Sequence, residues 1–322
     1  MKRLLVIAAA TSIVLTGCAA APPVTQAAPA LEAQAAVLEP QAQDIIDETF
    51  AAIAAADAAL DPALLAPRIG DHAAQVRAAE YAVSKATGAG LEVLPSEMQR
   101  IYVSQSETFP RVMAAVSVAP SDTLTPVVYM WVQDSIDAPY QLRGWAHMVP
   151  GATLPAMPGT VDGATQLPLG DASVPGTPRA VLEAYLEYLR QGATSELAAG
   201  FTPDSYATQL FAARDTLSAA AAAASGGYVD TIQPHLDGAM VLTSTDGGSL
   251  VFVPVLISSS FSVSGATLTV AANDAPLLSG AASTKVTYDY RDLVVIALPA
   301  TGSGALPAVV AADHHLVGLR PE

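Results

Sequence analysis

Residues 250–263, Leu-Val-Phe-Val-Pro-Val-Leu-Ile-Ser-Ser-Ser-Phe-Ser-Val, form the longest strand-like run of the sequence. The β-branched and aromatic residues in this run are typical of a strand packed within a sheet. Before it, Asp246-Gly247-Gly248 follows a shorter apolar segment, Met240 to Thr243, and this spacing predicts a β-hairpin. Proline cannot donate a ladder hydrogen bond, so Pro254 predicts a sheet edge or a bulge.

Helical patterns precede the strands in this half of the chain. Thr177-Pro178 predicts a helix start, with threonine as the cap and proline at the first helical position, and Gly192 predicts its end. Thr202-Pro203 predicts the start of a second helix. Further strands are predicted at residues 267–271, 285–290, 293–298, 308–312 and 316–319.

The first half follows the same order. Ile46, Phe50 and Ile53 lie on one face of a predicted helix that is capped by Asp44, and Gly70-Asp71 begins another helix that runs to about Lys85. Strands are then predicted at residues 99–104, 112–118, 126–133 and 140–148.

Helices followed by strands, twice along the chain, predict an α+β fold built as two helix-then-antiparallel-sheet units in tandem. The boundaries that follow are a signal peptide (1–17), an Ala/Pro-rich tether (18–41), an N-terminal domain (42–157), a Pro/Gly-rich connection (158–177) and a C-terminal domain (178–322).

Composition restricts the partners of this chain. Its net charge is −16, which disfavours nucleic acid as a partner because phosphate backbones bind basic surfaces. Hydrophobic residues make up 52% of the sequence, but alanine inflates that figure and buries little area. We therefore expect the valines, leucines and isoleucines of the strands to form the core.

The N-terminus has the pattern of an export signal. Lys2 and Arg3 precede the uncharged apolar run from Leu4 to Thr16, which is shorter than the roughly 20 residues of a membrane-spanning helix. Cys18, the single cysteine of the chain, follows directly after Gly17. It has no partner for a disulfide within the chain, although a buried free thiol is an alternative.

The stretch Leu15-Thr16-Gly17-Cys18 resembles the lipobox of bacterial lipoproteins. That resemblance implies cleavage before Cys18, a diacylglyceryl group on its sulfur, palmitate-type acylation and an anchor at the outer face of the cell membrane. Two acyl chains provide stable attachment where one does not. The chain also resembles uncharacterised lipoproteins of high-GC Gram-positive bacteria, through this lipobox, residues 141–155 and residues 245–252. No activity follows from that resemblance.

The second half, over about residues 178–320, resembles the nuclear-transport-factor-like cone fold in its layout. A helix ending in Leu189-Arg190-Gln191-Gly192 is followed by a Phe-containing turn, a second helix and a predicted curved sheet. The resemblance implies a cone-like sheet and brings no catalytic motif.

No familiar catalytic motif occurs in the sequence. Because the single cysteine is assigned to the membrane anchor, neither thiol catalysis nor a cysteine-rich zinc site is expected. Asp313-His314-His315 is the strongest metal-like pattern, but adjacent side chains of a strand point to opposite faces, so a solvated turn is favoured. His72, His147 and His235 have no partner that their spacing identifies. No metal or other cofactor is expected.

A speculative pocket is predicted from four tyrosines. Tyr288 and Tyr290 lie on one face of a strand and could line an apolar cavity with Tyr185 and Tyr206 of the helices. The alternative is ordinary core tyrosine. The sequence thus predicts a membrane-anchored extracytoplasmic lipoprotein that is not an enzyme and binds a small ligand, a cell-wall component or an envelope protein. The competing hypothesis is a cell-envelope hydrolase with an unfamiliar site; a solute receptor is disfavoured by the lack of βαβ alternation.

Overall fold

The computed structural model describes residues 34–105 and 108–322, and Ala33–Glu322 forms one compact unit. Its α-helices are α1 (Glu39–Ala59), α2 (Asp71–Thr87), α3 (Pro178–Gln191) and α4 (Ser205–Ala223). Its strands are β1 (Met98–Val103), β2 (Arg111–Ser117), β3 (Val127–Gln133), β4 (Gln141–His147), β5 (Gly227–Pro234), β6 (Met240–Thr243), β7 (Ser249–Ser262), β8 (Lys285–Leu298), β9 (Ala308–Ala312) and β10 (His315–Pro321). The predicted α+β class, with helices before antiparallel strands in each half, is confirmed.

Two antiparallel sheets organise this unit. The first is a meander in the order β1-β2-β3-β4. The second is built on two strands of 14 residues, β7 and β8, which pair along their whole length. On the outer side of β7, β5 and β6 pair one after the other, and on the outer side of β8, β10 and β9 do the same.

Successive side chains along each strand point to opposite faces of the sheet, and this alternation allows helices and sheets to stack in four layers. Met113, Tyr129 and Trp131 of the first sheet pack with α1 and α2, whereas Val112 and Met130 face the second sheet. In the second sheet, Phe252 of β7 and Val295 of β8 pack against this face of the first sheet. Their neighbours along each strand, such as Val253 and Val294, point to the opposite face and pack against α3 and α4. The two sheets therefore pack face to face between two pairs of helices.

The two halves of the chain share this central interior. Segment 158–177, predicted as a connection between domains, contributes the buried Ala164, whose amide donates to the Val103 carbonyl at 2.8 Å. The predicted division thus marks two halves of the topology within one compact unit. An alternating strand pattern shows that a sheet has a second face, but not which element will cover it.

The helix starts differ from the predicted ones in two places. Helix α1 begins at Glu39, with Leu38 as its cap, rather than after Asp44. Ala35 also bridges to Gln105, so the tether predicted to reach residue 41 overlaps structured chain; its remainder, up to residue 33, lies outside the described residues. Helix α4 is capped by Asp204, whose side chain accepts from the Ala207 amide at 2.7 Å.

Pro254 lies in a central strand, so the predicted edge was wrong, and the register of β7 against β8 shows no bulge. The strands that pair with β7 on its other edge, β5 and β6, explain why a proline is tolerated there. Strand β5 ends opposite Val255 and β6 begins opposite Phe252, which leaves a break beside Pro254. In this break the His235 amide donates to the Pro254 carbonyl at 2.8 Å, and no strand partner needs the missing proline N–H.

A similar break occurs on the far side of β8. Strand β10 pairs up to Arg291 and β9 pairs from Val294, so Asp292 faces the turn at residues 313–314 instead of a strand. Strand β8 was predicted as two strands separated at this point. In the structure β8 is one continuous strand that pairs with β7 along its whole length, and only its partners on the other edge, β10 and β9, are interrupted.

Two further strand predictions differ from the structure. Strand β5 was not predicted, since its polar residues Asp230, Thr231 and Gln233 obscure the apolar alternation. The predicted strand at 267–271 was wrong; its residues form no ladder, and Leu268 makes one hydrogen bond, to Ser283.

Candidate functional site

Asp292 is the centre of a buried polar network, at the point along β8 where β10 stops pairing and β9 has not yet begun. Its side chain is fully buried, and it accepts hydrogen bonds from the Tyr206 hydroxyl at 2.6 Å and the His315 amide at 3.3 Å. The His314 Nδ1 lies 2.8 Å from the same carboxylate. These contacts satisfy a carboxylate that would otherwise be costly to bury.

His314 is positioned by two contacts. Its ring stacks on Tyr290 with centroids 3.9 Å apart, and its Nδ1 faces Asp292. Although burial opposes protonation, the nearby Asp292 charge raises the pKa of His314. About a third of the side chain is exposed, so the ring remains accessible from one side.

A second carboxylate links α3 to α4. The Tyr185 hydroxyl donates to Asp204 at 3.2 Å, and burial raises the pKa of Asp204. Burial likewise raises the pKa of Tyr185 and Tyr206 well above their usual range, so both donate as neutral hydroxyls at physiological pH.

The four tyrosines of the predicted pocket have different positions. Tyr185 is fully buried in the core under α3, and Tyr206 lies on α4 at the wall of a cleft. Tyr290 supports His314, whereas Tyr288 packs edge-on against Phe261, with ring centroids 5.5 Å apart. Tyr206 and Tyr290 are thus connected through Asp292 and His314, and Tyr288 is not part of that network.

A cleft of about 400 Å³ opens between α4 and the ends of β4 and β9. Met148, Val149 and Leu210 provide apolar surface in it. Its polar lining residues are Thr125, His147, Ser205, Tyr206, Gln209, Asp313 and His314. Apolar walls with a few convergent polar groups are typical of a small-molecule site.

Three polar side chains from distant parts of the chain meet beside this cleft. The His147 Nδ1 lies 2.8 Å from Asp313 Oδ2 and 3.5 Å from Glu92 Oε1. The Asp313 hydrogen bond is the main reason why the pKa of His147 is raised. The pairing of Val149 with Val310 extends β4 alongside β9 and so brings His147 to Asp313, since the Val149 amide donates to the Val310 carbonyl at 2.9 Å.

Glu92 lies in the loop between α2 and β1, and two side chains from other elements hold it in place. Arg77 donates to its backbone carbonyl at 3.0 Å, and the Trp145 indole N–H donates to its Oε2 at 3.3 Å. Arg77 is itself buried and is fixed by Asp57 at 2.5 Å. The other carboxylate oxygen of Glu92 therefore faces His147.

His72 and His235 lie in a neighbouring part of the interior. Their rings stack with centroids 5.5 Å apart, and the His72 Nδ1 is buried without a hydrogen-bond partner. Burial, aided by the Arg291 charge, lowers the pKa of His72 to about 4. His235 is partly exposed, and its ring stacks on His72 next to the break beside Pro254.

Sequence reasoning missed Glu92, Asp292 and Asp204 because each belongs to an unremarkable local pattern. The predicted break between the last two strands lies at Asp313 and His314, but His315 already belongs to β10, and the Asp313 side chain is mostly buried instead of solvated. The two imidazoles face different carboxylates: His314 faces Asp292, and the His315 Nε2 lies 3.7 Å from Asp313. The one available signal was that His147 lies next to the last residue of one predicted strand and Asp313 directly follows another.

Cys18 and the signal segment lie outside the described residues. In residues 34–105 and 108–322, none of the helices combines the length and the apolar character that a bilayer crossing requires.

A family model described as "Domain of unknown function (DUF8094)" matches residues 33–318. This match spans both sheets and all the residues of the site. No curated protein and no solved structure matches the chain.

Proposed function

The chain belongs to the family of the domain of unknown function DUF8094, and we propose that it is an exported, lipid-anchored protein that binds a ligand without transforming it. In this proposal Cys18 carries the lipid, and the folded unit stands at the outer face of the cell membrane. Its ligand is a small molecule or a cell-wall component, and an envelope protein is the remaining class of partner. Nucleic acid is disfavoured by the net charge of −16.

The cleft beside α4 is the observation that carries the binding proposal. Its volume of about 400 Å³ lies within the usual range for small-ligand sites, roughly 300–1,000 Å³. It joins apolar walls to hydrogen-bonding groups such as Gln209 and the exposed edge of His314. These features support recognition of a ligand that has both apolar and polar parts.

The state of the polar groups favours binding over catalysis. Asp292 is occupied by Tyr206, His314 and the His315 amide, and Asp313 accepts from both the amide and the ring of His147. Carboxylates held by several hydrogen bonds orient the side chains around them and stabilise the wall of the cleft.

A hydrolase is the second candidate, and one observation favours it. Two histidines at the cleft, His147 and His314, each have Nδ1 against a carboxylate, which leaves Nε2 as a possible base, and Ser205 lines the same cleft. The first test must therefore separate binding from turnover.

The binding test uses the full chain, extracted in mild detergent, with soluble peptidoglycan fragments as the probe. Saturation-transfer NMR should show contact with the fragments, and mass spectrometry should show the same fragments unchanged after incubation. Ala213→Trp narrows the cleft and should abolish the transfer. Ala212→Trp is the matched control, because Ala212 is equally exposed on α4 but does not line the cleft. Cleaved fragments would favour the hydrolase, and equal transfer in both variants would overturn the cleft as the binding site.

The anchor is tested separately with Cys18→Ser. The wild-type chain should fractionate with membranes, and its mature N-terminus should begin at an acylated Cys18 by intact mass. The variant should lose the acyl mass and leave the membrane pellet or remain uncleaved. An unmodified cysteine in the wild-type protein would refute the lipid anchor.

A further inference from the structure

We propose that Glu92, His147 and Asp313 form a binding site for one divalent first-row transition-metal ion, such as zinc. The site goes beyond the proposed ligand binding and does not depend on it. Among the described residues, the donor atoms of these three side chains all lie within 4.8 Å of one another.

The donor spacing suits a shared ion. Zinc binds nitrogen and carboxylate oxygen at about 2.0–2.2 Å, so two ligand atoms on one ion are separated by roughly 3–3.5 Å. The distances from the His147 Nδ1 to the two carboxylate oxygens are 2.8 and 3.5 Å. Small side-chain adjustments are enough to place an ion between them.

Charge also favours a cation at this position. Two carboxylates face one imidazole, and one Nδ1 proton can bridge to only one of them; the shorter distance, 2.8 Å, is to Asp313. In the described parts of the chain, no lysine or arginine pairs with Glu92 or Asp313, and their side chains are only 24% and 18% exposed. A divalent ion bound at Nδ1 neutralises both carboxylates, and the ring stays a neutral imidazole because its one proton is then carried by Nε2.

A fourth potential donor is adjacent to the cluster. The His315 Nε2 is buried without a hydrogen-bond partner and lies 3.7 Å from Asp313 Oδ2. An orphaned ring nitrogen next to a carboxylate is unusual in an interior where polar groups are normally paired. A metal ion, or a water bound to it, would satisfy this atom.

The surrounding contacts resemble the outer support that metal sites need. Trp145 donates to the Glu92 oxygen that faces away from His147, and the His147 amide donates to Asp313. Both contacts fix the orientation of a carboxylate ligand. One imidazole with two carboxylates suits zinc, manganese or iron(II) better than magnesium or calcium, which prefer oxygen alone.

The experiment titrates zinc alone into the full chain by calorimetry, with competition by a chromogenic chelator. All samples carry Cys18→Ser so that the thiol cannot bind zinc. The Cys18→Ser chain with an intact cluster should bind one ion at this site. Glu92→Gln keeps the shape and the acceptor for Trp145 but removes one charged ligand, and it should weaken binding at least about tenfold.

Glu97→Gln is the matched control, because Glu97 is an exposed glutamate of the same loop and its change alters the net charge equally. It should leave the affinity unchanged. His147→Gln should weaken binding at least as much as Glu92→Gln, and circular dichroism without metal establishes that each variant is folded. The proposal is overturned if the chain with the intact cluster binds no zinc, or if Glu92→Gln weakens binding no more than Glu97→Gln.

Discussion

Phe252→Ala tests whether the two halves of the chain fold as one body. Phe252 lies in β7 of the second half, is fully buried, and packs between the sheets with residues such as Val112 and Met130 of the first half. Its truncation leaves a cavity that both sheets border. We therefore expect Phe252→Ala to lower the stability of the first half as well as that of the second.

The magnitude follows from the burial. Replacing a fully buried phenylalanine by alanine lowers the free energy of unfolding by about 3–5 kcal/mol. For a unit of this size, each kcal/mol shifts the thermal midpoint by about 2 °C, so the expected decrease is about 6–10 °C.

The assay uses the positions of the tryptophans. Trp131 and Trp145, the two tryptophans of the sequence, are both buried in the first half, so their fluorescence reports mainly on that half, although Trp145 also contacts His315 of the second half. Circular dichroism at 222 nm reports on all helices. Both probes should show a single transition at the same lowered temperature. Val229→Ala, in an exposed position of β5, is the control and should change the midpoint by less than about 1 °C.

A different outcome would refute the shared interior. If the tryptophan transition stayed at the wild-type midpoint while circular dichroism showed an earlier partial transition, the halves would unfold independently.

Three other substitutions test the polar interior. His72 is neutral when folded, because its pKa of about 4 lies below the unfolded value of 6.5. Stability is therefore lost as pH falls from 6.5 to 4, by about 3 kcal/mol, and urea unfolding of His72→Leu should lack that part of the loss; an unchanged pH profile would contradict it. Arg77→Met leaves Asp57 without its buried partner and should lower stability by about 3 kcal/mol in urea, whereas a change below about 1 kcal/mol would mean that the pair is not buried. Tyr206→Phe removes a donor to the buried Asp292 and should lower stability by about 1.5–3 kcal/mol, and a neutral effect in the same assay would argue against that hydrogen bond.

Much of the secondary structure could be predicted from the sequence because its signals are local. Thr177 caps the start of α3 and Gly192 follows its last residue, as the helix pattern predicts. The hairpin at 246–248 likewise forms between β6 and β7. Each of these features depends on residues that are close along the chain.

The packing of the sheets and the composition of the site depend on long-range contacts. Val112 and Met113 are both apolar, and their order alone does not say that one faces a helix and the other a sheet. Pro254 was misinterpreted because its tolerance depends on where β5 and β6 stop. Asp292 directly follows Arg291 in a strand segment of mixed polarity, and its role depends on its contact with His314, 22 residues later.

The most direct test of the account is a double-mutant cycle between His147 of the first half and Asp313 of the second. The cycle uses His147→Ala, Asp313→Ala and the double variant, with free energies of unfolding measured in urea. Because the ring Nδ1 of His147 lies 2.8 Å from Asp313 Oδ2, and His147→Ala removes the ring but keeps the backbone amide, the account predicts a side-chain coupling energy of about 1–3 kcal/mol. Additivity within about 0.3–0.5 kcal/mol would contradict the convergence of the two halves at this site.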